Sequence, residues 1–274
     1  MASNLTLESP DSGDILGLFD VEQRRDVEYF ETIREATPTI VRHTSRFGGD
    51  GLVTYWDLAG TDVMSVVQEQ IAYFNSIGQD FEWKVYAHDS PAELGQQLAR
   101  LGFTVDHKAT VVYLDLSALP ERLAALTNPN VKQVIEPEGI DEYVAMMQSI
   151  WDGDFCDVAS SLKAQLQEDA SHIGVYLARA DGMVASAGWI RFHQASSFAS
   201  LRGGLTLPAW RNRGLYSALV AVRVLEAQRR GYRYVIVDAR PTSRPILERL
   251  GFKVLAHICV YVWSTRRHPG NKSE

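Results

Sequence analysis

One turn of this chain carries the residues best suited to binding chemistry. An alternating apolar–polar run ends at Pro208, which has no backbone N–H and so ends a strand. Two arginines, an asparagine and Gly214 follow, and a helix begins there. A helix N-terminus has free N–H groups and a partial positive charge, so the turn predicts an anion site suited to phosphate. The candidate ligand-binding residues are Leu205, Thr206, Leu207, Arg211, Asn212, Arg213, Gly214, Leu215, Tyr216 and Ser217.

The elements around this turn must position it. After Gly214, apolar residues recur at the spacing of one buried helical stripe: Leu215, Leu219, Val222 and Leu225. Two arginines and Gly231 predict the end of this helix. The sequence then predicts a strand at 232–238, a short helix at 243–250 and a long strand from 252 to 263.

This order of elements resembles the GNAT superfamily of acyl-CoA-dependent N-acetyltransferases. The family's signature, Arg/Gln-x-x-Gly-x-Gly/Ala between a strand and a helix, is similar to Arg-Asn-Arg-Gly-Leu-Tyr at 211–216. The family also has a short helix that ends in Leu-Gly-Phe, and residues 250–252 of this chain are similar to that ending. The resemblance covers about residues 131–263. It implies that acetyl-CoA binds at the turn as co-substrate and that an acyl group passes to a primary amine of a small molecule or peptide.

Two positions depart from the family pattern. Tyr216 stands where the signature has a small residue, and Leu247 stands where many members carry a tyrosine that protonates the leaving thiolate. The resemblance therefore supports cofactor binding better than it supports catalysis by the usual acid. His193 and Asp238 are the nearest titratable candidates for a base, and each has a structural alternative, so no catalytic residue is assigned.

The first half of the chain repeats the second. A strand at 81–89, a helix at 91–101 closed by Gly-Phe and a further strand at 104–116 follow the same order. Such a repeat points to a tandem architecture, with chance similarity of two α/β halves as the alternative. We therefore predict an α/β (α+β) fold with two tandem GNAT-like domains, 1–118 and 131–274. Each would contain a mixed, mostly antiparallel sheet flanked by helices.

The first copy lacks the basic turn. Asp57 and Asp62 stand where the second copy has Arg211 and Arg213. Carboxylates at that point would repel a pyrophosphate. We therefore interpret the N-terminal copy as degenerate and expect one CoA per chain.

The acceptor site is predicted on the loop after residue 150. In the GNAT family the loop between the first two helices borders the acceptor. By that resemblance, Trp151, Asp152 and Asp154 would bind a protonated amine and its apolar part, together with Phe155 and Asp157. The alternative is a solvated loop whose acidic residues cap the next helix.

Composition limits the partners. The net charge of −7 argues against nucleic acid, and no apolar run approaches the roughly 20 residues that span a bilayer. Residues 1–14 are too polar for a signal peptide, and two cysteines suggest neither a disulfide framework nor a metal site. We expect a cytoplasmic protein without membrane or metal, whose oligomeric state stays open. The function classes left are an N-acyltransferase, an acyl-CoA-binding sensor without transfer and a structural protein.

Overall fold

A computed structural model of the chain describes residues 12–265. The outer ends of the two predicted domains, and residues 1–11 of the segment predicted not to be a signal peptide, lie outside the described residues. The strands are β1 Thr32–Ala36, β2 Ile40–Ser45, β3 Gly51–Trp56, β4 Phe81–Tyr86, β5 Thr104–Asp115, β6 Val131–Gln133, β7 Ile173–Ala180, β8 Met183–Phe192, β9 Phe198–Thr206, β10 Tyr234–Ala239 and β11 Lys253–Trp263.

Helices cover the sheet that these strands form. They are α1 Ser12–Asp20, α2 Val63–Ser76, α3 Leu94–Leu101, α4 Glu121–Ala124, α5 Glu138–Gln148, α6 Cys156–Glu168, α7 Leu215–Arg229 and α8 Arg244–Arg249. A π-helical turn, Val21–Arg25, continues α1. Across the described part of the chain, no helix combines the length and the apolar character that a membrane span needs.

The two halves repeat one arrangement of strands and helices. Two neighbouring strand pairs are parallel, β3 with β4 and β9 with β10, and a long helix joins the two strands of each pair. The other strand pairs are antiparallel. The predicted fold class, an α/β protein whose repeated units have mixed, mostly antiparallel sheets, is therefore confirmed.

The halves exchange their last strands within one continuous sheet of eleven strands. The strand order is β1-β2-β3-β4-β11-β5-β10-β9-β8-β7-β6. Strand β11 of the C-terminal half thus lies between β4 and β5, and β5 of the N-terminal half lies between β11 and β10. Backbone hydrogen bonding therefore crosses the predicted boundary between 1–118 and 131–274, and that division stays a prediction about sequence units.

Apolar packing holds each long helix against its own half. In the C-terminal half, Leu219 and Val224 of α7 are fully buried against Val235 of β10. In the N-terminal half, Phe74 of α2 stacks on Phe81 of β4 with 4.1 Å between ring centroids. Helix α1 covers the middle of the sheet, where its apolar residues pack on the exchanged strands β5 and β11. The sheet is therefore covered both over each half and over the junction between them.

Candidate functional site

The parallel strands β9 and β10 separate at their carboxyl ends. Their pairing runs from Phe198–Tyr234 to Ser200–Ile236, and no further pair joins them. Beyond that point β9 bulges against β8 at two glycines, of which Gly203 has a φ of +55°. A Cβ at Gly203 would collide with the Tyr143 hydroxyl, and one at Gly204 would lie 3.0 Å from the ring of Tyr216. Glycines are therefore needed for the bulge that opens the sheet.

The turn after β9 leaves the N-terminus of α7 open. Gly214, with φ +78°, is the N-cap and has no side chain to accept a hydrogen bond from the helix. The first-turn amides of an α-helix have no acceptor within the helix. Arg211 lies beside them and donates from Nε to the Thr206 carbonyl at 3.3 Å. The turn thus combines free N–H donors with a nearby guanidinium, as an anion site requires.

A cavity of about 660 Å³ lies in front of this turn. It brings together most of the predicted ligand-binding residues with one from the acceptor loop: Leu205, Thr206, Arg211, Asn212, Gly214, Leu215, Tyr216, Ser217 and Trp151. Leu207 instead packs on the core beside β8, and the Arg213 guanidinium stacks 4.5 Å from the Trp210 ring. Arg249 of α8 also lines the cavity, and no local motif marked it.

A second cavity, of about 700 Å³, adjoins the first and shares Gly204 and Tyr216 with it. Its wall includes Glu82 and Lys84 of β4 and His107 of β5, all from the N-terminal half. These residues reach the C-terminal site because the exchanged strands bring β4 and β5 close to β10. Sequence reasoning missed them because it assigned the N-terminal half a structural role.

Asp238 is held as an ion in this second cavity. Its Oδ2 lies 3.3 Å from Lys84 Nζ and 3.2 Å from an Arg202 guanidinium nitrogen. Burial would raise the pKa of Asp238, but Lys84 and Arg202 together lower it to about 2. A carboxylate with two cationic partners is a weak base, so this geometry favours the structural alternative for Asp238.

His193 lines neither cavity. It is 4% exposed, and its Nε2 lies 2.9 Å from the Ser200 hydroxyl. Burial lowers the pKa of His193 well below its usual value, and the positive charge of Arg191 lowers it further. The imidazole is therefore neutral but out of reach of a molecule in either cavity.

The two departures from the family pattern occupy opposite environments. Leu247 is fully buried in the core under α7, so its position does not face a ligand. Tyr216 lines both cavities. Burial raises the pKa of Tyr216, against smaller opposing effects of Arg223 and Ser243, and the hydroxyl stays protonated at neutral pH.

The predicted acceptor loop divides into residues inside and outside the cavities. Trp151 is 48% exposed and lines both of them. Asp154 accepts a hydrogen bond from the backbone N–H of Cys156, the first residue of α6, at 2.9 Å. Asp152 is exposed and lines neither cavity. The alternative of a solvated loop therefore describes Asp154, and only Trp151 faces the site. Among residues 12–265, no His, Cys, Asp and Glu side chains are grouped as metal ligands would be.

The equivalent opening in the N-terminal half is filled by a side chain. The pairing of β3 with β4 ends at Val53–Trp83. Arg24, 2% exposed, enters the gap, where its Nε donates to the Thr54 carbonyl at 3.3 Å and its guanidinium lies 4.1 Å from the Tyr86 ring centroid. Ion pairs with Asp89 at 2.8 Å and with Asp20 at 2.7 Å hold it there.

The acidic residues of the N-terminal turn bind their own backbone. Asp62 is the N-cap of α2, and its carboxylate accepts from the Met64 N–H at 3.1 Å. Asp57 accepts from the Ala59 N–H at 3.2 Å. The helix end that is open in α7 is thus already occupied by a carboxylate in α2.

Comparison with solved structures shows what this architecture is similar to. A GCN5-related N-acetyltransferase from Kribbella flavida is 16% identical, with a TM-score of 0.62 over 95% of each chain. A tandem GNAT protein from the clavulanic acid biosynthesis pathway is 12% identical, with a TM-score of 0.55 over 94% of this chain and 95% of that one. A functionally unknown protein from Staphylococcus epidermidis is 13% identical, with a TM-score of 0.62 over 85% and 94%.

Comparison by sequence alone found no similar protein. No family model matches the chain, and no curated protein matches it significantly. At identities this low, structural likeness shows the fold and not the activity.

Proposed function

We propose that this chain, which has the tandem GNAT fold, is an N-acyltransferase that transfers an acetyl group from acetyl-CoA to a primary amine. The observation that carries the proposal is the open N-terminus of α7 at the end of the separated strands β9 and β10. The pyrophosphate of CoA would accept hydrogen bonds from the first-turn amides and from Arg211. The amide-containing arm of CoA would then follow the unpaired edge of β9, as a peptide adds to a sheet edge.

The proposed reaction forms a C–N bond and breaks a C–S bond, and one proton is lost from the nitrogen and one is gained by the sulfur. The neutral amine attacks the thioester carbonyl, a backbone N–H on the separated part of β9 stabilises the oxyanion, and the C–S bond breaks. The amine loses a proton, and the thiolate gains one. Most of the rate would come from holding the two substrates together. Tyr216 is the candidate proton donor, since its protonated hydroxyl lies in the cavity wall and position 247 is buried.

Calorimetry with acetyl-CoA tests the binding site. Replacing Arg211 and Arg213 by Ala should weaken binding by a few kcal/mol, because a hydrogen bond to a charged group contributes about 1.5–3 kcal/mol. The single variants separate Arg211, which lines the cavity, from Arg213, which stacks on Trp210. Replacement of Arg179 and Arg229, which pair with glutamates at the surface, removes the same charge elsewhere and should leave the affinity unchanged. Equal affinities in the two double variants would refute this assignment.

The buried Leu247 favours a second candidate, an acyl-CoA sensor without transfer. Release of free thiol from acetyl-CoA over a panel of amines separates the two. An N-acyltransferase releases thiol with at least one amine, and Tyr216→Phe should slow that release while CoA affinity holds. Binding of acetyl-CoA with no release for any amine would favour the sensor.

A further inference from the structure

A third cavity, of about 300 Å³, lies between the two halves on the far side of Glu82. Its walls come from the turn between β2 and β3 and from α6. It shares Glu82, Lys84 and Arg202 with the cavity of about 700 Å³, so the two adjoin. A molecule bound in the third cavity would therefore lie next to the place where the thioester is proposed to bind.

Three carboxylates of this cavity form no ion pair within residues 12–265. Asp50, Asp157 and Glu82 line it, and none forms an ion pair or a hydrogen bond with another residue of the described chain. Asp50 lies at the exposed mouth. Partial burial of its carboxyl raises its pKa to about 6, and repulsion from Glu82, Asp80 and Asp157 adds to the shift. Such mutual repulsion is relieved when a cation binds among the carboxylates.

The cations around this cavity already have carboxylate partners. Lys84 and Arg202 both pair with Asp238, and Arg191 pairs with Glu31. Together with Asp238 and Glu31, the three carboxylates without an ion pair make five acidic groups against three cations, so the net charge around the cavity is negative. Electrostatic complementarity favours a positively charged ligand there.

A buried amide gives a second, independent indication of a ligand. Gln165 of α6 is 1% exposed and lines the cavity, and its Oε1 accepts no hydrogen bond within the described residues. Its Nε2 is held by the Ser161 hydroxyl at 3.2 Å. A buried acceptor without a donor is costly, and an ammonium group supplies three donors and no acceptor.

We infer that this cavity holds a protonated amino group of the acceptor and that the acceptor carries at least two amino groups. The inference rests on the proposed function. The nitrogen that attacks a thioester must be neutral, whereas carboxylates stabilise the ammonium form of the nitrogen that they contact. One amino group therefore stays charged beside Asp50, Asp157 and Gln165, and a second reaches past Glu82 towards the separated strands.

Calorimetry with putrescine, without CoA, tests the cavity. Asp50→Asn with Asp157→Asn should weaken putrescine binding at least tenfold and leave acetyl-CoA affinity unchanged. A control with the same change of charge, Glu121→Gln with Glu168→Gln, alters exposed acids that line no part of this cavity and should bind putrescine as the parent protein does. No putrescine binding at millimolar concentration, or equal affinities in the two double variants, would overturn the inference.

Gln165→Met tests the buried acceptor separately. The substitution removes the unpaired oxygen and nearly keeps the side-chain volume, so the melting temperature should hold while putrescine affinity falls several-fold. Unchanged putrescine affinity in this variant would remove the second indication of a ligand and contradict the inference.

Turnover links the cavity to the reaction. Putrescine should release thiol from acetyl-CoA, whereas n-butylamine, whose single nitrogen is held as an ammonium, should inhibit competitively. Thiol release with n-butylamine as fast as with putrescine would overturn the requirement for two amino groups. If putrescine binds through Asp50 and Asp157 while acetyl-CoA does not bind at all, the proposed function fails and the cation site stands.

Discussion

The two long helices, α2 and α7, occupy equivalent places after a pair of parallel strands, and their N-termini differ in one respect. Asp62 caps α2 with its own carboxylate, whereas Gly214 caps α7 and leaves the first-turn amides open. The strand openings differ in the same sense, because Arg24 fills the gap between β3 and β4. The same arrangement of elements therefore has its polar groups paired in the N-terminal half, whereas in the C-terminal half it leaves the first-turn N–H donors of α7 unpaired. The proposed CoA site therefore lies where the fold leaves backbone donors unpaired.

The largest effect is expected when the Arg24 side chain is removed from the gap between β3 and β4. Arg24→Ala leaves Asp89, whose side chain is 8% exposed, without its ion pair, so the free energy of unfolding should fall by about 3–5 kcal/mol. Denaturant titration measures the change. The neighbouring pair of Arg25 with Asp26 is about half exposed, and Arg25→Ala should cost less than about 1 kcal/mol. Similar losses in the two variants would mean that Arg24 does not support the N-terminal half as described.

Closing the open helix end should have the next largest effect. Gly214→Asp places a carboxylate where α2 has one, and acetyl-CoA binding should weaken by about 3 kcal/mol, somewhat over 100-fold, through charge repulsion and lost hydrogen bonds. Gly60→Asp is the matched control, since Gly60 in the N-terminal turn has a φ of +71°, close to the +78° of Gly214, with equally open surroundings. Calorimetry should find acetyl-CoA affinity unchanged in the Gly60 variant. Equal weakening in both would point to general strain.

A pH titration compares two carboxylates that pair with arginines, Asp238 of β10 and Asp89 in the turn after β4. The pKa of Asp238 is lowered from 3.8 to about 2, so the ion stabilises the fold above pH 4, and this contribution of about 2 kcal/mol is lost as the pH falls from about 4 to 2. Denaturant titration at several pH values measures how far the free energy of unfolding falls at acid pH. Asp238→Asn should remove the part of this fall that is due to Asp238. Burial raises the pKa of Asp89 despite Arg24, so in Asp89→Asn the free energy of unfolding should still fall at acid pH. The reverse pattern would contradict the assignment of the Asp238 pairs.

The smallest effect is expected at the cap of α2. Asp62→Ala removes one capping hydrogen bond and should lower the free energy of unfolding by about 1 kcal/mol. It should not create a second CoA site, because Arg24 still fills the strand opening. Calorimetry should find one acetyl-CoA per chain, as for the parent protein. A stoichiometry of two would show that the cap alone keeps CoA out of this half.

The local elements of the site were predictable from the sequence. Residues 215–229 form the predicted helix, and Gly214 adopts the positive φ that a glycine in that turn permits. These features depend on residues near each other in the chain, where helical spacing and glycine placement decide the backbone. The orientation of individual side chains was harder to predict. Arg211 faces the cavity, while Arg213 stacks on Trp210.

The sequence by itself determined the repeated order of elements, the basic turn at 211–214 and its acidic counterpart at 57–62. Only the tertiary structure decided that β5 and β11 exchange places, which brings Glu82 and Lys84 to the C-terminal site and sets α6 beside the turn of the other half. The physical reason is that a strand's alternation fixes which residues face the core but not which strand lies beside it. Pairing between distant strands is settled by the packing of the whole sheet, and so the cavities between the halves have no local signature.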